Sequence, residues 1–230
     1  MYGSKNMKKI SFIALLTLAT ACATPANKGG DNFADRDPAQ PVNERIFAFN
    51  LAVDGAIVKP ISEIYHAVIP APVREGVSNV ISNLGEPLNV ANNALQLNVE
   101  GTFTSFWRFV LNTTFGLGGL RDFAGENGLK EKDTNFGKTL AKHGAAEGNY
   151  VVLPLIGPST TRDTAGKIVD WVMDPIGWLF TTPETVAQVV TGGVSDRNEN
   201  AKIINQFYYE SLDPYSATRA AYLQHQAFQK

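Results

Sequence analysis

Cysteine is almost absent from this chain: of 230 residues only Cys22 is one. No internal disulfide can form, so the fold must rest on packing and polar contacts. Charge is also scarce, at 18% of residues beside 44% hydrophobic ones, where a water-soluble domain usually carries nearer a quarter. Two readings fit: a surface that partly faces something other than water, or a polar surface carried by uncharged Asn, Ser and Thr. No basic cluster stands ready to neutralise phosphates, which argues against nucleic acid as a partner. Internal repeats and long charge blocks are missing too. Beyond the N-terminus no stretch reaches about 18 apolar residues, so no further spanning helix is expected.

The N-terminus holds what is there. Met7-Lys8-Lys9 supplies a positive start, and Ile10 to Ala21 an apolar run of about a dozen residues. As a helix that run spans roughly 18 Å, short of the ~30 Å hydrocarbon core, so it reads as a signal peptide. Met7 is the better-placed start residue, with Met1 to Asn6 an extension. Small residues Ala19, Thr20 and Ala21 lead directly into Cys22. That order resembles a bacterial lipobox, in which the thiol receives a diacylglycerol and becomes the mature N-terminus, although Ala19 stands where leucine is commoner. An ordinary secretory signal followed by a chance cysteine is the alternative. Cleavage after residue 21 removes three lysines and no acid, so the formal charge falls from −2 to −5. Residues 22–40, with Pro25, Pro38 and Gly29-Gly30, read as a lipidated flexible tether, and residues 41–230 as one domain.

Helical punctuation dominates that domain. Asn43 is placed to cap a helix carrying Ile46, Phe49, Val53 and Ile57 at helical spacing, with Phe47 beside them. Pro60 is expected to break it and open the next helix, which Pro70 and Pro72 end. A third segment runs from Val73 to about Leu84, a fourth from Glu86-Pro87 to Leu97, and a fifth from Thr102 to Thr113. Thr182-Pro183-Glu184, Asp196 with Glu199, and Asp213-Pro214 mark three later helix starts. Only Tyr150 to Leu153 looks extended. The reading is an all-α fold of many short helices.

Catalytic signatures do not assemble. Ser159 lacks the second glycine of a nucleophile elbow. Gly116-Leu117-Gly118-Gly119 follows a helix and has Arg121 where a dinucleotide fingerprint ends in glycine. His66, His143 and His225 stand apart, without a second ligand at i+4. The chain reads as a non-enzyme with no cofactor or metal. Three features suit lipid handling instead. Asn89, Asn92, Asn93 and Gln96 form an amide face at i, i+3, i+4 and i+7, fit for a hydrated headgroup path, a plain solvent face or a buried hydrogen-bond network. Trp107, Trp171 and Trp178 suit the headgroup level of a bilayer, or simply a core. Gly116, Gly118 and Gly119 serve either as a gate hinge or as a helix C-cap.

Taken together, the motif blocks resemble the VacJ/MlaA family of outer-membrane lipoproteins over almost the whole mature chain. They begin with Asp37-Pro38 and Asn43-Glu44-Arg45-Ile46-Phe47-Ala48-Phe49-Asn50. Val73-Arg74-Glu75-Gly76-Val77-Ser78-Asn79, Asn83-Leu84-Gly85-Glu86-Pro87 and Arg108 through Gly119 follow. Phe136 to Leu140, Val152 through Asp163, and Asp213-Pro214-Tyr215 through Arg219 with Tyr222-Leu223 complete the set. Two positions depart: Glu44, where arginine commonly follows the asparagine, and Leu97, where glycine often ends the Leu95-Gln96 pair. The resemblance implies a ring-like lipoprotein, partly embedded in the inner leaflet of the outer membrane beside trimeric porins. It further implies passage of outer-leaflet phospholipids through an amphipathic channel to a soluble periplasmic carrier. Ala23 after Cys22 agrees with outer-membrane sorting. Asn43, Phe47 and Asn50 join Asn89, Asn92, Asn93 and Gln96 as lipid-path candidates. A structural or adhesive lipoprotein is the rival reading.

Overall fold

The computed structural model describes residues 36–174 and 182–228, without the side chains of residues 182–190. Cys22 and Trp178 therefore lie outside the described residues. Ten helices and one hairpin follow in order. They are α1 (Gln40–Val53), a π-helical turn (Asp54–Val58), α2 (Lys59–Val68), α3 (Ala71–Leu95), α4 (Val99–Thr114), α5 (Phe123–Glu126) and α6 (Phe136–Lys142). Then come β1 (Tyr150–Leu153), β2 (Gly157–Thr160), α7 (Thr161–Met173), α8 (Thr182–Glu199), α9 (Ala201–Tyr208) and α10 (Pro214–Phe228). None of the described helices is long and apolar enough to cross a membrane.

Several helix boundaries differ from the sequence reading, for physical reasons. Helix α1 starts at Gln40 with Pro41 in its first turn, so Asn43 lies inside it and does not cap it. Pro60 opens α2 from its first turn, as expected, but does not break the rod. The wider π-helical turn, closed by Lys59 N–H on the Asp54 carbonyl, carries the chain past it. Pro87 likewise sits inside one continuous 25-residue α3, where two helices were expected. Its lost hydrogen bond is outweighed by the contacts that α3 makes along its buried side. Asp196 lies within α8, and the break falls later, at Asn200. Asp213 does accept from Ser216 N–H at 3.1 Å before α10, as its spacing predicts.

The extended stretch Tyr150–Leu153 is a strand, and it pairs antiparallel with Gly157–Thr160. Glycine, proline and hydroxyl residues hid that partner strand in the sequence. The hairpin is clamped by α1. Asn43 donates to the Tyr150 carbonyl at 3.1 Å and accepts from Val152 N–H at 2.9 Å. Two turns on, Asn50 donates to the Leu153 carbonyl and accepts from Leu155 N–H at 2.7 Å. Phe47 lies between them in a small core with Tyr150, Val152, Tyr215 and Leu223. Asp37 accepts from Asn43, Tyr215 and Arg219, the last at 2.7 Å, so the first described residues close onto the last helix.

Replacing Asn43 with alanine orphans a buried strand amide and carbonyl. It should cost about 1–3 kcal/mol, read from the denaturant midpoint in detergent; an unchanged midpoint would contradict the clamp.

Candidate functional site

The interior is mainly polar, and much of the exterior is apolar. Among the described residues six hydrophobic side chains are buried, against 22 polar or charged ones, while 25 large hydrophobic side chains stand exposed. A water-soluble domain has the opposite bias. The inversion is plainest in the antiparallel pair α3–α4. Asn83, Glu86, Asn89 and Asn93 of α3 face Gly101, Ser105, Arg108 and Asn112 of α4, all buried. On the far side of α4, Val99, Phe103, Phe106 and Trp107 are exposed. Only a glycine fits at position 101, because a β-carbon there would lie 2.2 Å from Asn93 Oδ1.

Glu86 and Arg108 anchor this seam through a short ion pair with both side chains almost fully buried. Desolvation pushes the Glu86 carboxyl up from its ordinary range, against the opposing pull of Arg108, Ser105 and Asn89. Arg108 also donates to the Leu129 carbonyl at 2.7 Å and lies 3.2 Å from Asp122. Burial alone would raise Asp122; hydrogen bonds from Asn112 and Gly125 N–H, together with Arg108, hold it below the usual range. Asn112 completes the loop by accepting from Ala124 N–H.

The predicted amide face is brought together, and it turns into the protein. Asn92 donates to Asp170 Oδ1 at 2.8 Å and accepts from Thr139 at 3.0 Å. Asn89 accepts from Thr134 N–H, Asn93 donates to the Lys132 carbonyl, and Gln96 donates to Thr134 and Thr139. Asp170, pushed up by burial, accepts from Phe136 N–H and so fixes the start of α6. These hydrogen-bonding groups are already engaged. The arrangement is the buried-network alternative, a brace that ties residues 129–139 and α7 to α3.

The glycine cluster terminates α4. Gly118 N–H reaches the Thr113 carbonyl and Gly119 N–H that of Asn112. Gly116 is packed against the Arg121 and Asn112 carbonyls, and Gly119 (φ 95°) against Asn83; Gly118 (φ 73°) alone has open space beside it. Trp107 and Trp171 both stand exposed. Two further buried charge contacts went unread in the sequence: Asp37–Arg219, and Asp54 with Arg197 at 2.9 Å and Tyr209 at 2.7 Å. The stripe Gly101, Ser105, Arg108, Asn112, spaced four, three and four apart, was a signal available to the same periodicity argument. Among the described residues no group of three or more His, Cys, Asp or Glu is arranged to hold a metal ion.

A helical body with many apolar side chains outside and a polar interior whose groups mostly bond one another is the design of a protein partly sunk in lipid, where no water satisfies exposed backbone or side-chain polar groups. The MlaA lipoprotein family model matches residues 35–229, and the chain belongs to that family. The intermembrane phospholipid transport system lipoprotein MlaA of Escherichia coli K12 is 35% identical over 227 residues, covering 96% of this chain and 88% of that protein. Its Haemophilus influenzae counterpart is 31% identical over 232 residues, covering 95% and 87%. An uncharacterized Rickettsia felis protein is 36% identical over 186 residues, 80% of this chain and 74% of that one. A solved structure described as "Structural basis for maintenance of bacterial outer membrane lipid asymmetry" superposes with a TM-score of 0.73 at 34% identity, covering 84% of this chain and 98% of that one. The ring-like architecture of many short helices is shared with it.

Arg108→Met should leave Glu86 buried without its counter-charge and cost about 3–5 kcal/mol. Glu86→Leu with Arg108→Met should recover most of that loss. A double variant as unstable as the single one would show that the pair is not what holds the seam.

Proposed function

We infer that this chain is an outer-membrane lipoprotein that clears phospholipids from the outer leaflet. It passes them through an amphipathic channel to a soluble periplasmic carrier and so maintains lipid asymmetry. The observation that carries the reading is the inverted body: Phe103, Phe106 and Trp107 outward, Glu86, Arg108 and Asn112 inward. Such a surface is stable where lipid replaces water, and a polar interior offers a zwitterionic headgroup a route that hydrocarbon denies it. The names of the Escherichia coli and Haemophilus influenzae relatives support transport between membranes as its role. No covalent bond is made or broken in this task, and the protein acts as a passive conduit whose direction is set by the downstream carrier.

Further assignments belong to the same reading. Cys22 carries the lipid anchor. A trimeric porin is the neighbour that holds the body in place. Asn43, Phe47 and Asn50, with Asn89, Asn92, Asn93 and Gln96, frame the lipid path from behind, since the amide groups among them are committed to hydrogen bonds within the protein and Phe47 to its core. Gly118 is the position in the α4 terminus with freedom to act as a gate hinge. Trp107, Trp171 and Trp178 contact the bilayer at headgroup level.

Loss of the chain should raise outer-leaflet phospholipid in cells, measured with a headgroup-reactive probe on intact cells. Cys22→Ser should reproduce that rise by detaching the body from the membrane. Normal asymmetry after deletion would favour a structural lipoprotein, and a free Cys22 thiol in the mature protein would remove the anchor.

A further inference from the structure

Three non-glycine residues have positive φ among those described, and all three are leucines held far into solvent. They are Leu97 (φ 56°, 82% exposed), Leu117 (55°, 75%) and Leu155 (63°, 71%). Left-handed backbone strains any residue with a β-carbon; glycine adopts it freely and asparagine tolerates it. Backbone hydrogen bonds can hold such a turn, but an exposed leucine side chain buries little against its own chain, so glycine would serve the turn with less strain.

Two of the three bracket α4. Leu97 directly follows Gln96, the C-cap of α3. Its N–H reaches the Ala94 carbonyl at 3.0 Å, and Asn98 N–H that of Asn93 at 2.9 Å. These are the paired bonds of a Schellman turn, with leucine in the place glycine normally takes. At the other end of α4, Gly118 N–H reaches the Thr113 carbonyl at 3.1 Å across Leu117, the long bond of the same motif. Between the two leucines runs the exposed face Val99, Phe103, Phe106 and Trp107, along a helix of about 24 Å. Of the two charged residues on α4, Arg108 points inward, and Glu100 sits exposed at the edge of the band in the first turn, beside Lys132 at 3.3 Å.

We propose that Leu97 and Leu117 are acyl-layer anchors, held out by strained turns at the two ends of α4, which lay this helix along the hydrocarbon boundary of a phospholipid monolayer. The proposal rests on the lipid-immersed reading given above and specifies the face and orientation of immersion. The occupant is lipid because the band carries no charge beyond the Glu100–Lys132 pair at its first turn and runs about the length of the helix. Chain length adds to this: with the anchor at Cys22, the thirteen residues before Arg36 span at most about 50 Å, so the body stays at the membrane surface.

Leucine-to-glycine changes separate this role from folding, because glycine relieves the left-handed strain while removing the apolar side chain. The full lipidated chain, with Trp171→Phe and Trp178→Phe so that Trp107 reports alone, is reconstituted in phosphatidylethanolamine–phosphatidylglycerol vesicles containing brominated acyl chains. Leu97→Gly and Leu117→Gly should each hold or raise the thermal midpoint. Each should also lower the ratio of docked to undocked bodies about tenfold, and about a hundredfold together, read as loss of Trp107 quenching. Leu97→Met and Leu117→Met should retain quenching. A quenched parent protein with unchanged quenching in the double glycine variant would overturn the anchors, leave the transport reading standing and point to a protein partner for the band. A fall in the thermal midpoint of either glycine variant would make the leucines packing residues and overturn the proposal. Absence of Trp107 quenching in the parent protein would overturn the immersed body itself.

Discussion

The buried contact between Glu86 and Arg108 is the interaction on which the α3–α4 pair depends. A helix pair whose outer faces lie against hydrocarbon gains little by bringing its apolar side chains together, since lipid tails are as apolar as leucine. Close approach and polar contacts must then hold the helices, and both are present here. Gly101 lets α4 approach α3, while Glu86 and Arg108 neutralise each other and recruit Asp122, Asn112 and the Leu129 carbonyl. Asp37–Arg219 and Asp54–Arg197 repeat the logic, each tying the N-terminal part of the body to its C-terminal helices. A buried charge left without its partner is costly, so the three pairs restrict the arrangements the helices can adopt.

That constraint links the fold to transport. A polar interior largely engaged in its own contacts does not compete for a passing headgroup with strong, long-lived binding, which suits a conduit better than a receptor. The amide ladder on α3 keeps residues 129–139 and the start of α6 in position, and the hairpin clamp from α1 does the same for Leu155 at the β turn. Gly118, proposed above as a hinge, sits where nothing crowds the backbone.

Much of this was legible in the sequence. The signals at Asp213-Pro214, at the extended Tyr150–Leu153 and along Thr102–Thr113 are local, and local physics decided them. The amide stripe was visible as a periodicity, but periodicity does not say which face turns inward. In water the apolar stripe of α1 would be buried; here Phe49 and Ile57 are exposed, while Asn43, Phe47, Asn50 and Asp54 are buried. Asn43 was misplaced as a cap for that reason, since its partners lie on a strand more than a hundred residues away. Pro87 misled because its local penalty is smaller than the tertiary contacts that keep α3 running, whereas Pro60 does open α2 and misled only in that a π-helical turn joins α1 to it without a break. The charge pairs span 22 to 182 residues, and a single sequence carries no mark of which acid meets which arginine.

On the lipid-immersed reading, the apolar face of α4 meets lipid while its polar face meets α3. A nitroxide scan tests it most directly, with single cysteines placed in turn at Val99, Phe103, Phe106 and Val110 and at intervening positions of the lipidated, membrane-reconstituted protein. Accessibility to oxygen should peak at those four positions with the helical period of 3.6 residues, and accessibility to a water-soluble nickel complex should be lowest at the same positions. Peak nickel accessibility at Phe103 and Phe106 would contradict the account, because it would place in water the face that the structure turns to lipid.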